Sequence, residues 1–447
     1  MGGAGRIPVV CGVDVGTTNT KVVALDADGV VVARASRPTP RDAEGLWIDA
    51  RALFGAIEEM VVQACGPRYE VHAICAAGVG EDGVLVDAEL RPLTTALAWF
   101  DPRRQSIFRE LRPELHDDDS FDADSDPVRA LVGWKWSREQ AMPGTAHRWV
   151  ALADLAGVQW TRGAFLSDTL ASRTGAWRSS DRTWAVDRVE LTLGSADLLP
   201  PVIPTGDIIG HIDSARLRDA GVVADDAIAV AGGHDHPIGG WGVDQLVPGA
   251  VLDSMGTAEV VVAQSPLAAV VRQNFVDIAP GIQSGGTTML RVEELTRNVE
   301  WASQDPDVAR CIRDVLSGRA EPEPVLDGGF FNPGQRGGGR PSYALDAPSD
   351  PRGRASAVLG ALAHVGRDAV EAVRGGLVDG AEVRLAGGWV RSPGWVDIKS
   401  TVNGYRTVAI LEPEVTAVGA ALLAARARGW KLDPVVALGG SAAGLAR

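Results

Sequence analysis

The chain has 447 residues, 45% apolar and 23% charged, with a formal net charge of −15. That length suits two domains of roughly 200 residues each rather than one core. The acidic balance excludes nucleic acid and anionic membranes as default partners, and no apolar run approaches the ~18 residues needed to span a bilayer.

Residues 1–6 are a Gly-rich lead-in without a charged-then-apolar signal, so a cytoplasmic location is expected. Residues 9–14 form an apolar run, Gly16-Thr17-Thr18-Asn19 a turn, residues 21–25 a second run, Asp26-Ala27-Asp28-Gly29 a hairpin turn, and residues 30–35 a third run. This predicts a three-stranded antiparallel meander. Helical spacing over 52–63 and a strand at 72–77 follow, and a meander succeeded by alternating elements argues a mixed α/β domain. The acidic stretch 117–126 reads as a solvated loop, and 151–160 and 168–173 as helical pieces. The apolar run 227–231 leads into Gly232-Gly233-His234-Asp235-His236-Pro237. After a Pro248-Gly249 turn, strands at 250–254 and 259–263 flank Met255-Gly256-Thr257-Ala258. A loop over 328–342, a long helix over 355–374, a strand at 381–386 ending in Gly387-Gly388, and an Ala-rich helix over 414–428 capped near Gly429 complete the pattern. Cys11, Cys65, Cys75 and Cys311 form no Cys-x-x-Cys pair, so buried free thiols are expected rather than disulfides or zinc.

The two Gly-Thr turns, at Gly16 and Gly256, lie 240 residues apart, each between an entering and a leaving strand. Two domains of one topology are expected, divided at 244/245. Asp14 at a strand end, followed by Gly16, Thr17 and Thr18, offers an oxygen to a hydrated cation and amides and hydroxyls to phosphate; Lys21 could return across the hairpin as a point charge. The competing reading is a plain hairpin turn. Gly256 and Thr257 would supply a second set of donors. Asp235 could take a proton from a hydroxyl as that oxygen attacks phosphorus. The competing readings are a metal site of His234, Asp235 and His236, and a purely structural role. Gly387 and Gly388, with Ser392 and Trp395 beyond, could admit the flat face of a base or ribose.

Together these pieces resemble the FGGY carbohydrate kinases, in the family's order and over nearly the whole chain. Asp14 to Lys21 looks like the first phosphate motif. Residues 78–87 and Trp99-Phe100-Asp101-Pro102-Arg103 look like the sugar-side segment, Gly232-Gly233-His234-Asp235 like the segment of the catalytic aspartate, Ser254-Met255-Gly256-Thr257 like the second phosphate motif, and Gly387-Gly388 with Ser392, Trp395 and residues 414–424 like the adenosine motif and the helix behind it. The resemblance implies two actin-like (ribonuclease H-like) α/β ATPase domains with a catalytic cleft between them: an N-terminal sugar-binding domain, 1–244, and a C-terminal nucleotide-binding domain, 245–447. It implies ATP and Mg2+ as cofactors, Asp235 as general base, Asp14 as the metal ligand, and Gly16, Thr17, Thr18, Lys21, Gly256 and Thr257 at the phosphates. Gly387, Gly388 and Ser392 would line the adenosine pocket. A small sugar, ketose or polyol would be held by Glu81, Asp82, Trp99, Asp101, His234 and Asp235; the competing reading of Glu81 and Asp82 is a solvated acidic turn. Where the family often has Ala-Asp in the helix after the adenosine glycines, this chain has Ser400-Thr401. A homodimer is the candidate assembly. The alternative from another class is a non-catalytic sugar sensor on the same scaffold; a chaperone-like ATPase would need a peptide-binding domain for which no residues remain.

Overall fold

Two six-stranded sheets organise the chain, and each is centred on a hairpin closed by a Gly-Thr turn. The computed structural model describes residues 5–116, 127–142, 144–268, 275–326, 329–334, 339–375, 377, 381–404 and 407–439. The acidic stretch 117–126 lies outside them.

The first sheet contains β1 (Ile7–Val15), β2 (Asn19–Asp26), β3 (Val31–Pro38), β4 (Tyr69–Gly78), β5 (Ile208–His211) and β6 (Val223–His234), in the order β5-β6-β4-β1-β2-β3. The meander β1-β2-β3 is antiparallel, while β4 runs parallel to both β1 and β6. Helix α1 (Ala50–Cys65) covers β2 and β3. It starts at Asp49, whose carboxylate accepts from the Arg51 and Ala52 amides at 2.9 and 3.0 Å. Leu53, Ile57, Met60 and Val61 recur at helical spacing and are fully buried. Helix α2 (Asp235–Leu246) leaves directly from the end of β6.

The second sheet contains β7 (Val251–Met255), β8 (Ala258–Ser265), β9 (Asp277–Pro280), β10 (Thr287–Glu294), β11 (Val383–Ala386) and β12 (Val408–Ala409), in the order β9-β10-β8-β7-β11-β12. Here too an antiparallel hairpin, β7-β8, is continued by parallel partners, β11 and β12. The repeat read from Gly16 and Gly256 is therefore a repeat of topology, with β7 in the place of β1. Helices α3 (Pro351–Arg374) and α4 (Pro393–Asn403) pack together, and α3 lies on β7 and β8.

The chain separates into two compact units: Met1–Gly242 with Ala279–Thr287 and Glu414–Arg447, and Val243–Ile278 with Thr288–Pro413. Helix α5 (Val415–Ala427), which a single boundary at 244/245 assigns to the C-terminal half, packs on β1 and β4 in the first unit. Two local expectations differ from the fold. Residues 151–160 are the end of a short strand, Arg148–Ala151, followed by a helix, Leu155–Thr161. The expected loop at 328–342 contains a two-stranded pair, Phe331–Asn332 with Ser342–Tyr343; the rings of Phe331, Tyr343 and Trp301 cluster at 5.5–5.8 Å. That tertiary packing overrides the loop composition. All four cysteines are free thiols, Cys311 half-buried and the others buried. No helix of the described residues is long and apolar enough to cross a membrane.

One buried constellation in the second unit has no counterpart in the sequence reading. Lys399 of α4 is fully buried and reaches Asp253 of β7 at 2.9 Å and Glu259 of β8. Burial opposes the Lys399 charge, but Asp253 and Glu259 outweigh it and raise its pKa. Burial pushes Glu259 up to about 8, with Lys399 lowering it and Asp253 raising it. Three elements around the Gly256-Thr257 turn are thus pinned together. Removing the one cation strands two carboxylates in an apolar interior. Lys399→Met should destabilise the protein by about 3–5 kcal/mol in urea denaturation. A loss below about 1 kcal/mol would show that the triad behaves like a surface pair.

Candidate active site

The register of the first sheet gathers the acidic groups. Ala77 of β4 pairs with Asp14 on one side and Gly233 on the other; Gly78 pairs with Val15 and His234. Neighbouring strands are spaced about 4.8 Å apart, so the ends of β1 and β6 flank the end of β4 at one edge of the sheet. Asp14 sits near the end of β1, Glu81 and Asp82 follow β4, and Asp235 follows β6. In open α/β sheets ligands bind beyond the carboxyl ends of the parallel strands, which is where these residues stand.

Asp235 is the first residue of α2, where the helix dipole favours a negative charge. Its Oδ1 accepts from the His236 amide at 2.7 Å and lies 3.3 Å from His234 Nε2 and 3.6 Å from His236 Nε2. Burial, then the charge of Glu81, pushes its carboxyl up to about 7 against the pull of the His236 amide and Arg173. Asp14 is also pushed up to about 7, by burial first and the Asp235 charge second, with Lys21 and His236 acting the other way. Two neighbouring carboxylates are thereby held near neutrality at pH 7.

The turn after β1 is tied down through its carbonyls. Gly16 O accepts from Thr39 Oγ1 at 2.7 Å, Thr18 O from the Thr39 amide at 3.0 Å, and Thr17 O from Arg41. Trp99 Nε1 donates to Thr17 Oγ1 at 2.8 Å. The Thr17 and Thr18 amides donate to no described group. An open groove of about 550 Å³ runs beside them, lined also by Thr39, Arg41 and Phe100. Outward amides on an immobilised turn suit phosphate oxygens.

Other expected residues have protein partners. Lys21, opposite Asp14 across the hairpin, pairs with Glu414 at 2.6 Å. Glu81 receives Arg173 through Nε at 3.0 Å and through Nη2. Asp82 is 1% exposed and pairs with the buried Arg104 at 3.2 Å. Asp101 is buried too, clasped by Arg103 and accepting that residue's amide at 2.8 Å. His234 packs against Gly80, where a Cβ would come within 2.8 Å of both the His234 ring and Arg173; only glycine allows this approach. Arg41, Arg104 and Arg173 carry no signal in the sequence of the partners they meet here. Arg173 meets Glu81 across 92 residues, and no local pattern marks such a partner.

In the second unit the Gly256-Thr257 turn is built the same way. Gly256 O accepts from Thr296 Oγ1 at 2.9 Å and Trp389 Nε1 at 3.1 Å, and Thr257 O from the Thr296 amide at 3.0 Å. Ser254 pairs with Ala386, so Gly387 and Gly388 emerge at the same edge as this turn. Gly387 has φ +88, and a Cβ there would stand 2.2 Å from Met255 O. Ser392 caps α4 without a side-chain hydrogen bond. Gly256, Thr257 and Gly388 are exposed.

A family model described as the N-terminal domain of the FGGY family of carbohydrate kinases matches residues 9–242. A gluconokinase of Bacillus subtilis (strain 168) is 21% identical, over 94% of this chain and 88% of that protein. An L-fuculokinase of Salmonella typhi is 25% identical, over 94% of this chain and 92% of that protein. Among solved structures, a xylulose kinase from Rhodospirillum rubrum has the same fold, with a TM-score of 0.82 at 22% identity over 96% of this chain and 92% of that one.

Among neighbouring charges, Glu81 raises the Asp235 pKa most. In the protein without ligands, the Asp235 carboxyl should titrate near 7 by NMR, identified as the aspartate signal missing from Asp235→Asn. In Glu81→Gln it should titrate lower by roughly 0.5–1 unit, because a like charge has gone. An unchanged or higher value would contradict the assigned cause.

Proposed function

The chain belongs to the FGGY family of carbohydrate kinases, ATP-dependent phosphotransferases of two actin-like domains, and we propose that it phosphorylates a hydroxyl of a small ketose or polyol with Asp235 as general base. The observation that carries this reading is the Asp235 carboxyl, held at about 7 at the edge of the sheet beside Asp14. A base with a pKa near the working pH balances readiness against proton-transfer strength. As the acceptor oxygen forms its bond to the γ-phosphorus of ATP, the bond between that phosphorus and the β–γ bridging oxygen breaks. The hydroxyl proton passes to a carboxylate oxygen of Asp235, and ADP leaves with the bridging oxygen.

Each residue group has a role in that scheme. Glu81 accepts from acceptor hydroxyls while Arg173 fixes its orientation. Trp99 offers an aromatic face to the sugar and secures Thr17. His234 lines the acceptor side, with Asp82 and Asp101 supporting the segment from beneath. The Thr17 and Thr18 amides, and separately the Gly256-Thr257 turn, take phosphate oxygens. Gly387, Gly388 and Ser392 receive the adenosine, so the first unit is assigned to the acceptor and the second to the nucleotide base. The donor set fits Mg2+: Asp14 offers a hard oxygen beside a second carboxylate, and a cation there would relieve their repulsion. Bound Mg2+ neutralises phosphate-oxygen charge. Lys21, paired with Glu414, orients the strand next to Asp14. The relatives are named for different sugars, so the acceptor is proposed as a class. The same reading places the enzyme in the cytoplasm.

The test is ADP formation from ATP and Mg2+ across a panel of ketoses, deoxyketoses and C3 to C6 polyols. One acceptor should stimulate turnover, and Asp235→Asn should lower kcat by about 10²-fold or more while binding ATP as wild type does. Near-wild-type turnover in that variant would refute the base assignment. Chelation of Mg2+ by EDTA should abolish turnover and leave acceptor binding intact.

A further inference from the structure

The pair of histidines flanking Asp235 is not needed by the proton transfer just described. We propose that His234, Asp235 and His236 form a second cation site, selective for a borderline divalent ion such as Zn2+ over Mg2+, and that occupancy of this site silences the base. The silencing rests on Asp235 being the general base; the binding does not.

The argument begins with ligand atoms. One atom from each of the three residues lies within 4.8 Å of the others. Asp235 Oδ1 stands 3.3 Å from His234 Nε2 and 3.6 Å from His236 Nε2. Ligands about 2.1 Å from a tetrahedral ion are about 3.4 Å from one another, so both separations from Asp235 are already close to those an ion needs. The two imidazole rings, 5.3 Å apart and inclined at 74°, need only a modest turn of His236 to converge. That turn is available, because the His236 side chain is 32% exposed while His234 is 5% exposed and fixed.

The donor chemistry then selects the ion. Two imidazoles and one carboxylate suit Zn2+, Co2+ and similar ions, whereas Mg2+ takes oxygen ligands and keeps its waters. The surroundings favour positive charge. Asp14 and Glu81 both act electrostatically within this group. The nearby cations are already engaged, Lys21 with Glu414 and Arg173 with Glu81. An ion held by the three residues would take the Asp235 Oδ1 lone pair that the His236 amide leaves and stand where the acceptor hydroxyl must approach. Inhibition should therefore be competitive with the acceptor and not with ATP. One edge of the sheet would then take two classes of cation: a hard ion with the phosphates, and a borderline ion that turns the enzyme off.

The experiment uses the full chain without nucleotide and Co2+ as a spectroscopic probe. Wild type should bind one Co2+ with visible ligand-field bands, and Zn2+ should displace it. His236→Ala and His236→Gln, at a half-exposed position and checked for an unchanged thermal midpoint, should each weaken Co2+ binding by at least about tenfold, the scale even an outer-shell partner commands. Equal affinity and an identical spectrum in both variants would overturn the site. With an active acceptor, Zn2+ should raise the acceptor KM in wild type, and at least tenfold more Zn2+ should be needed in His236→Gln. Equal Zn2+ sensitivity would overturn the silencing while leaving the kinase reading standing. Failure of the kinase reading would show separately, as no acceptor of the panel stimulating ADP formation, and failure of the base assignment as undiminished turnover in Asp235→Asn.

Discussion

The structure depends on a single constraint, the parallel register in which β4 holds β1 on one side and β6 on the other. Because Ala77 faces Asp14 and Gly233, and Gly78 faces Val15 and His234, residues more than 200 positions apart in the chain arrive at one edge. The same register removes them from bulk water. Carboxylates that would ionise near 4 in the open are lifted to about 7, Asp235 by burial and the Glu81 charge and Asp14 by burial and the Asp235 charge. The backbone pairing thus sets the position of Asp235 beside Asp14.

The second unit repeats the architecture with different contents. Both hairpin turns are tied through their carbonyls, and both stand at the end of a central strand. Beneath the first turn, carboxylates lie close to the surface of the site. Beneath the second, Asp253, Glu259 and Lys399 neutralise one another inside the core. Charge near the edge can serve proton transfer and cation binding, whereas charge in the interior serves to fix three elements in place. The repeated topology supplies a frame, and its few polar residues decide what each copy does.

Much of this was legible in the sequence where the information is local. The meander, the two Gly-Thr turns, the strand into Gly232-Gly233 and the long helices all follow from period and punctuation, and so does Asp235 as the residue to watch. The topological repeat could be read from one short similarity because turn chemistry constrains both copies equally. Pairings across long separations were not legible. Nothing near Glu81 announces Arg173, nothing near Lys21 announces Glu414, and Lys399 sits in a helix whose other residues give no sign of a buried charge. The placement of α5 against β1 is of the same kind. An Ala-rich helix can pack almost anywhere, and only the three-dimensional surface shows where it belongs. Asp82 and Asp101 are of this kind too: nothing in the matched segment announces that both are buried and paired with arginines.

The central claim is that one buried carboxyl sets the pace of phosphoryl transfer. The most direct measurement is the pH dependence of kcat/KM for the acceptor at saturating MgATP. A base must be deprotonated, so activity should fall as pH drops through the Asp235 pKa. The account predicts a limb of unit slope lying well above the ordinary carboxylate range of about 4, displaced to lower pH in Glu81→Gln. A rate that stays flat down to about pH 4.5 in wild type would contradict it, because no group lifted to about 7 by burial could then be the proton acceptor.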